Sequence, residues 1–187
     1  MAGYRNVPGL AAGAAHSGTV MLAIPATTPL NSYFLIACAD ALAKAPESDD
    51  ANNCVASSTA VVTVTRPDLV QTALSDPPAT KRRYTTFVVT DTVQNIGTVA
   101  SGPSAMRYYL SLDPIKSANG VLLAGYRTLP ALAAGASHSG SVTLGIPLAT
   151  PPNTYFLLAC ADGTNAVLET DETNNCKAAR STVTVTP

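Results

Sequence analysis

The chain has 187 residues, which is enough for one large or two small domains with a hydrophobic core. Charged residues make up only 12% of it and the formal net charge is −1, so it has no basic surface for nucleic acid. No apolar run reaches the roughly 20 residues that a membrane-spanning helix needs, and no N-terminal secretion signal is visible.

The chain begins with a stretch that it later repeats. AGYRNVPGLAAGAAHSG starts at Ala2 and AGYRTLPALAAGASHSG starts at Ala124, and the alignment continues without a gap to the second cysteine of each copy. About three-fifths of the aligned residues are identical, which shared composition does not explain. After that cysteine the alignment shifts by one residue, and VTVTRP then aligns with VTVTP at the C-terminus. We therefore interpret residues 67–187 as one complete repeat and residues 1–66 as the C-terminal half of another.

Short strands, with almost no helix signal, are predicted along the complete repeat. The first three are DLVQTALS, YTTFVVTDTVQNIG and AMRYYLSL, which are rich in β-branched, aromatic and alternating apolar residues. Asp91 interrupts the alternation of the second strand, which indicates a bulge or a hydrogen-bonded polar group. The third strand places Met106, Tyr108, Leu110 and Leu112 on one face.

Four further strands, VLLAGYRTL, GSVTLGI, NTYFLLACAD and STVTVT, follow in order. GSVTLGI turns Val142, Leu144 and Ile146 inward, whereas NTYFLLACAD is apolar on both faces, as a covered central strand would be. LPALAAGASHSG contains Pro130 and Gly135, so we expect a surface loop or a single turn there. Seven strands separated by turn residues predict an all-β sandwich. By the alignment, the N-terminal half contains the last four of these strands.

The order of these motifs resembles the CARDB domain, the cell-adhesion-related domain of bacteria. The chain shows its opening P-D-L, the V-x-N-x-G end of the second strand, a Y-L-S segment and an L-x-A-G-x loop. The resemblance implies an immunoglobulin-like seven-strand sandwich that occurs as tandem modules in large secreted or surface-anchored proteins, without enzyme activity. The cysteine pair is a departure, because many members lack it. The closing E-x-x-E-x-N-N motif is matched by Glu169, Glu172, Asn174 and Asn175, and in the partial copy by Glu47, Asp50, Asn52 and Asn53.

Four cysteines form two equivalent pairs, Cys38 with Cys54 and Cys160 with Cys176. Four cysteines allow three connectivities, and the repeat favours pairing within each copy. Such a disulfide would close the base of a hairpin loop and stabilise the fold by about 3 kcal/mol. A zinc site would need further His or Cys ligands, and a redox pair would have closer spacing. Disulfides indicate an oxidising, extracellular or envelope location.

Two hairpin loops, APESDDANN and AVLETDETNN, contain the only dense acidic clusters. Their oxygen atoms could hold Ca²⁺, or the loops could be solvated, with Asn and Asp side chains satisfying backbone groups. Neither loop has the spacing of an EF-hand, which favours the solvated loop and no cofactor. The calcium ligands would be Glu47, Asp49, Asp50 and Asn52 in the first loop, and Glu169, Asp171, Glu172 and Asn174 in the second.

No catalytic residues are predicted. The two histidines, His16 and His138, occupy the same position in the two copies, where we expect a surface or capping residue. Ser139 adjoins His138, but neighbours on a strand point to opposite faces, so the two do not form a catalytic pair. No G-x-S-x-G elbow, phosphate-binding loop or H-E-x-x-H motif occurs.

Two non-enzymatic classes of function remain. The chain is either a structural or adhesive module in an extracellular array or filament, or a module that binds carbohydrate or protein through its loops. A sugar platform needs clustered aromatic residues, and the chain has no Trp and only 5% aromatics. Composition therefore favours the structural or adhesive class.

The incomplete half bears on the partners of the chain. Without the three opening strands, apolar faces around residues 20–24 and 33–37 would be uncovered and would favour association. The chain is then a piece of a longer tandem array, or a neighbouring chain supplies the strands by strand addition and builds a filament. One and a half repeats leave no spare first half to donate, which favours the piece of a longer array. The predicted partners are copies of the chain or adjacent repeats of a longer parent.

Overall fold

The computed structural model describes residues 3–187, apart from the side chains of residues 60 and 61. The chain forms two compact units, Met1–Val64 and Thr65–Pro187, called the N-terminal unit and the C-terminal unit below. The predicted strand that opens the chain starts at Ala2, which lies outside the described residues. In the described part of the chain, no helix is long and apolar enough to cross a membrane.

Strands form nearly all of the regular structure. The N-terminal unit contains β1 (Ser32–Cys38) and β2 (Cys54–Thr63), with a short 3-10 turn at Asp50–Asn52 between them. The strands of the C-terminal unit are β3 (Leu69–Leu74), β4 (Thr80–Arg82), β5 (Thr86–Asn95), β6 (Ser104–Ser111), β7 (Val121–Leu122), β8 (Arg127–Leu129), β9 (Ser137–Gly145), β10 (Asn153–Cys160) and β11 (Cys176–Thr186).

The C-terminal unit is an immunoglobulin-like β-sandwich, which confirms the predicted fold class. One sheet has the order β3-β5-β9, and the other has the order β4-β11-β10-β6-β7, with β8 also paired to β6. Alternate side chains of each strand point between the sheets, as the two-residue period of a strand requires. The core there includes Val89 and Val93 of β5, Met106, Tyr108 and Leu110 of β6, Val142 and Leu144 of β9, and Leu157 of β10. β10 lies between β6 and β11 and is buried on both faces, as predicted.

Three local features differ from the prediction. VLLAGYRTL forms two short strands, β7 and β8, instead of one. Between them Gly125 adopts φ +103°, and a Cβ atom there would lie 2.5 Å from the carbonyl oxygen of Thr143, so the chain bends at a residue that only glycine suits. Leu112 was expected on the buried face but is exposed, because β6 ends at Ser111. β4, which runs parallel to β11, was not predicted.

The N-terminal unit is a two-stranded antiparallel hairpin. Its register matches that of β10 and β11: Cys38 pairs with Cys54 as Cys160 pairs with Cys176, and an equivalent irregularity follows Phe34. The sequence predicted four strands here, and the described residues 3–64 contain two. The reason lies in hydrogen-bond partners, because β8 pairs with β6 and β9 pairs with β5, and residues 3–64 hold no counterpart of β5 or β6. No side chain described in this unit is buried.

Candidate functional site

Disulfides close the two acidic hairpin loops. The structure joins Cys38 to Cys54 and Cys160 to Cys176, each pair 16 residues apart, with Cα atoms 4.1 and 4.0 Å from each other. In each pair the first cysteine ends one strand and the second begins the next. The loop between them is therefore held at its base in both units, and no free cysteine is found among the described residues.

An aspartate orders the start of each loop. Asp162 accepts hydrogen bonds from the backbone N–H groups of Ala166 and Val167 at 3.0 and 2.8 Å. Asp40 accepts the equivalent bonds from Lys44 and Ala45, and these bonds hold the pKa of its carboxyl group below the usual value. The same loop geometry thus forms in both units without help from the rest of the sandwich.

Glu169 is a buried structural acid. Its carboxylate accepts a hydrogen bond from the backbone N–H of Leu69 at 2.5 Å and another from the side-chain amide of Asn175 at 3.0 Å. Burial raises the pKa of Glu169 to about 7, and the nearby charges of Glu172 and Asp162 act in the same direction. Glu169 therefore ties the hairpin loop to β3, a strand 100 residues earlier in the chain.

The other predicted calcium ligands of this loop also make internal hydrogen bonds. Asp171 accepts bonds from the backbone N–H and hydroxyl of Thr173, which lower the pKa of its carboxyl group. Glu172 accepts a bond from the backbone N–H of Glu169 at 2.9 Å. Asn174 donates to Asp68 at 2.9 Å. These contacts fix the conformation of the loop.

In the N-terminal loop the predicted ligands lie at the surface. Asp49 accepts a hydrogen bond from the backbone N–H of Ala51 and caps the short 3-10 turn that contains Asp50 and Asn52. Glu47, the counterpart of Glu169, is exposed and has no hydrogen-bond partner among the described residues. Across the described part of the chain, no three His, Cys, Asp or Glu side chains are grouped so as to hold a metal ion.

A buried polar network joins the two sheets of the C-terminal unit. Asp91 of β5 accepts hydrogen bonds from the hydroxyl of Tyr108 at 2.5 Å and from Nε of Arg127 at 3.2 Å, and forms an ion pair with the Nη2 atom of Arg127. Arg127 also donates to Nδ1 of His138 at 2.6 Å. Gly140 leaves room for it, since a Cβ atom there would lie 2.8 Å from Cδ of Arg127. Asp91, Tyr108, Arg127 and His138 are thus each paired with another member of this network.

The network shifts the ionisation of its members. Burial and the hydrogen bond to Asp91 raise the pKa of Tyr108, which stays a neutral donor. Burial opposes the charge on Arg127, but its hydrogen bonds to Asp91 and Tyr108 raise its pKa overall. Arg127 donates to Nδ1 of His138. The network therefore connects β5, β6, β8 and β9 to one another.

Sequence patterns found part of this network. The polar interruption at Asp91 predicted either a bulge or a hydrogen-bonded polar group, and the structure shows the hydrogen-bonded group. The sequence did not predict the roles of Arg127 and His138, and His138 is half-buried against Arg127 instead of being the surface or capping residue expected. A visible signal was that the Arg-His pair recurs with the same spacing in both copies. The hydroxyl of Ser139 contacts Thr92 at 2.8 Å and not His138.

The fold places the C-terminal unit among immunoglobulin-like domains, and comparison with known proteins identifies the family. The CARDB sequence profile matches residues 66–179, more than half of the chain, so the chain belongs to the CARDB family. The resemblance seen in the sequence is thereby confirmed. No curated protein matches the chain.

Solved structures similar to this chain include a CARDB domain, a domain of a cell surface protein and a β-glucosidase. A Pyrococcus furiosus CARDB domain in complex with di-metal ions is 20% identical, with 65% of this chain and 90% of that chain covered and a TM-score of 0.43. A domain described as part of a Methanosarcina acetivorans cell surface protein is 26% identical, with 65% and 93% covered and a TM-score of 0.44. A β-glucosidase from Listeria innocua in complex with isofagomine is 15% identical, with 66% and 16% covered and a TM-score of 0.39.

Proposed function

We propose that this chain is a non-enzymatic, extracellular structural or adhesive module of a tandem-repeat surface protein or filament. The single observation that carries the proposal is the state of the N-terminal unit. Its apolar residues correspond in sequence to the buried core of the C-terminal unit, yet none of its described side chains is buried. A sheet of this kind is suited to contact with further polypeptide.

The chemistry of the C-terminal unit supports a mechanical role. Its buried ion pair, its Glu169 contact and its disulfide all connect strands or loops to one another. In the described part of the chain, the groups with shifted pKa values are hydrogen-bonded to other groups of the protein. Disulfides persist in oxidising compartments, which supports an extracellular location.

Electron microscopy of native material tests the proposal. We expect polymers or arrays in which the chain is a repeating module. A discrete monomer that gives a specific hit on a glycan array, or captures one defined protein ligand, would contradict it. That result would identify a carbohydrate- or protein-binding accessory module instead.

A further inference from the structure

Residues 66–69 of the C-terminal unit, called the entry segment below, run into the start of β3. We propose that Glu169 is a proton-operated latch for the entry segment. A protonated carboxyl group keeps the segment bound, and loss of the proton lets the segment open together with β3. The inference goes beyond the proposed function and does not depend on it.

The β10–β11 loop holds the entry segment through more than the Glu169 contact. The backbone N–H of Thr170 donates to the carbonyl oxygen of Pro67 at 2.9 Å. The side-chain amide of Asn174 donates to Asp68 at 2.9 Å. With the contact between Glu169 and the first residue of β3, the loop binds three successive residues of the entry segment.

The turn after β5 also contacts the entry segment. The backbone N–H of Asp68 donates to the side-chain oxygen of Asn95 at 3.1 Å, and its carbonyl oxygen accepts from the backbone N–H of Ile96 at 2.7 Å. A Cβ atom at Gly97 would lie 2.6 Å from the carbonyl oxygen of Arg66, so the turn packs directly against the segment. The loop and the turn thus hold the segment together, and only the loop contributes a titratable group to these contacts.

β3 is placed so that it can open without the rest of the sandwich. It is the edge strand of the β3-β5-β9 sheet, and among the described strands it pairs only with β5. The pairing is irregular between Gln71 and Ala73. Opening exposes Leu69, which is otherwise 1% exposed, so the open state is the minor one. Local openings of this kind are typical of weakly held edge elements.

Acidic groups outnumber basic ones around Glu169. The charged side chains on the elements that adjoin it are Asp162, Asp171 and Glu172 of its own loop, Asp68 and Arg66 of the entry segment, Arg107 of β6 and Lys116 of the loop that follows β6. The turn after β5 contributes no charged group. The charges of Glu172 and Asp162 act on Glu169 most strongly, and both are acidic. Ionisation of Glu169 is therefore unfavourable while the latch is closed.

Asn175 can serve both ionisation states of Glu169. Its side-chain N–H donates to Oε1 of the carboxyl group at 3.0 Å, whereas its Oδ1 atom is buried without a hydrogen-bond partner among the described residues. Rotation of the amide by 180° would place Oδ1 against the carboxyl group, where it accepts the proton of the neutral acid. The latch therefore has a local acceptor for its proton.

The direction of the pH effect follows from the two states of the latch. In the closed state burial and the neighbouring acidic charges raise the pKa of Glu169 to about 7, although its two hydrogen bonds act in the opposite direction. In the open state the carboxyl group is in water and has its ordinary pKa of 4.5. Closure is therefore favoured fully below about pH 4.5, and the equilibrium constant for opening rises by up to about tenfold per pH unit until the pH passes 7.

Hydrogen exchange of the full chain, with its disulfides intact, tests the latch. The reporters are the backbone N–H groups of Leu69, Ile96 and Thr170, each of which donates across a contact of the entry segment. After division by the intrinsic exchange rate at each pH, their opening should increase by about a hundredfold between pH 4.5 and 8. At every pH the reporters should open more often than the amides of β6, which exchange only when the whole sandwich unfolds.

Three variants assign the pH dependence to Glu169. Glu169→Gln keeps an acceptor for the N–H of Leu69 and carries no charge, so opening of the reporters should no longer change with pH. Glu172→Gln removes a charge that raises the pKa of Glu169, so the rise in opening should end at a lower pH, a result that does not require the first variant to fold. Glu47→Gln changes the exposed counterpart in the N-terminal unit and should leave the profile of the parent chain intact.

Three results would overturn the inference. The first is a parent chain whose reporters open independently of pH, as in Glu169→Gln. The second is a profile that Glu172→Gln does not move. The third is a set of reporters that open no more often than the amides of β6, because the entry segment would then unfold only with the whole sandwich.

Discussion

Asp91→Asn is the sharpest test of the buried network in the C-terminal unit. The side chain of Asp91 is fully buried and accepts hydrogen bonds from Tyr108 and from two nitrogen atoms of Arg127. Asparagine replaces one accepting oxygen by an NH₂ donor and leaves the guanidinium of Arg127 buried without a counter-charge. Breaking a buried ion pair in this way costs about 3–5 kcal/mol. That is a large part of the roughly 5–15 kcal/mol that stabilises a domain.

Urea unfolding followed by circular dichroism measures this loss, and hydrogen exchange of β5 and β6 assigns it to the C-terminal unit. Tyr108→Phe keeps the ion pair and removes one hydrogen bond to a charged group, so it should cost about 1.5–3 kcal/mol. A triple variant with Asp91→Leu, Arg127→Met and Tyr108→Phe should recover most of the stability, because no charge is then left unpaired. A loss below about 1 kcal/mol for Asp91→Asn would refute the account of a dry, fully paired network.

Three further predictions concern the hairpin loops. The folded-state pKa of Glu169 is raised to about 7, so its contribution to stability is fully present below about pH 4.5 and is lost as the pH rises through 7, by up to about 3 kcal/mol. Glu169→Gln should abolish this dependence of the free energy of unfolding on pH, measured between about pH 4 and 8. Parallel curves for variant and parent would contradict the prediction. Ala43 and its counterpart Asn165 both adopt left-handed backbone angles, with φ +48° and +51°, a region that asparagine tolerates better than alanine. Ala43→Asn should therefore stabilise the N-terminal loop and Asn165→Ala should destabilise the C-terminal loop, each by roughly 1 kcal/mol as measured by hydrogen exchange of the loop. Removal of the second disulfide by Cys160→Ala with Cys176→Ala should lower the free energy of unfolding by about 3 kcal/mol, and an unchanged urea midpoint would show that the loop does not need its covalent closure.

Alternation of apolar residues was enough to predict most of the C-terminal sandwich. β6 and β9 each bury alternate side chains, and Met106, Leu110, Val142 and Leu144 lie in the core as their spacing indicates. The split between β7 and β8 could not be predicted, because it depends on the close approach of Gly125 to the carbonyl oxygen of Thr143. That contact exists only once the two sheets are packed.

The acidic loop shows where sequence patterns lose information. Its residues were recognised as a cluster, but the cluster gives no sign that Glu169 is buried while Asp171 is exposed. The difference arises because Leu69, 100 residues earlier in the chain, donates its backbone N–H to Glu169. Long-range contacts of this kind set the role of an acidic side chain, and short spacing does not reveal them.

The two copies of the repeat show that strand-forming sequence alone does not produce a strand. Residues 3–64 have the same strand-forming patterns as residues 124–187, but only the β1–β2 hairpin forms among them. Strands such as β8 and β9 exist through pairing with β6 and β5. A pattern that predicts a strand therefore predicts it only in the presence of its partner, and the N-terminal unit lacks those partners.

Hydrogen exchange of β1 compared with β10 tests the central claim most directly. The two strands share most of their sequence, from Tyr33–Cys38 to Tyr155–Cys160. β10 is paired on both edges, with β6 and β11, whereas among the described residues β1 is paired with β2 alone. We predict rapid exchange in β1 and slow exchange in β10 for the isolated chain, with β1 becoming as slow as β10 in the native assembly. Equal protection of both strands in a monodisperse isolated chain would contradict the account.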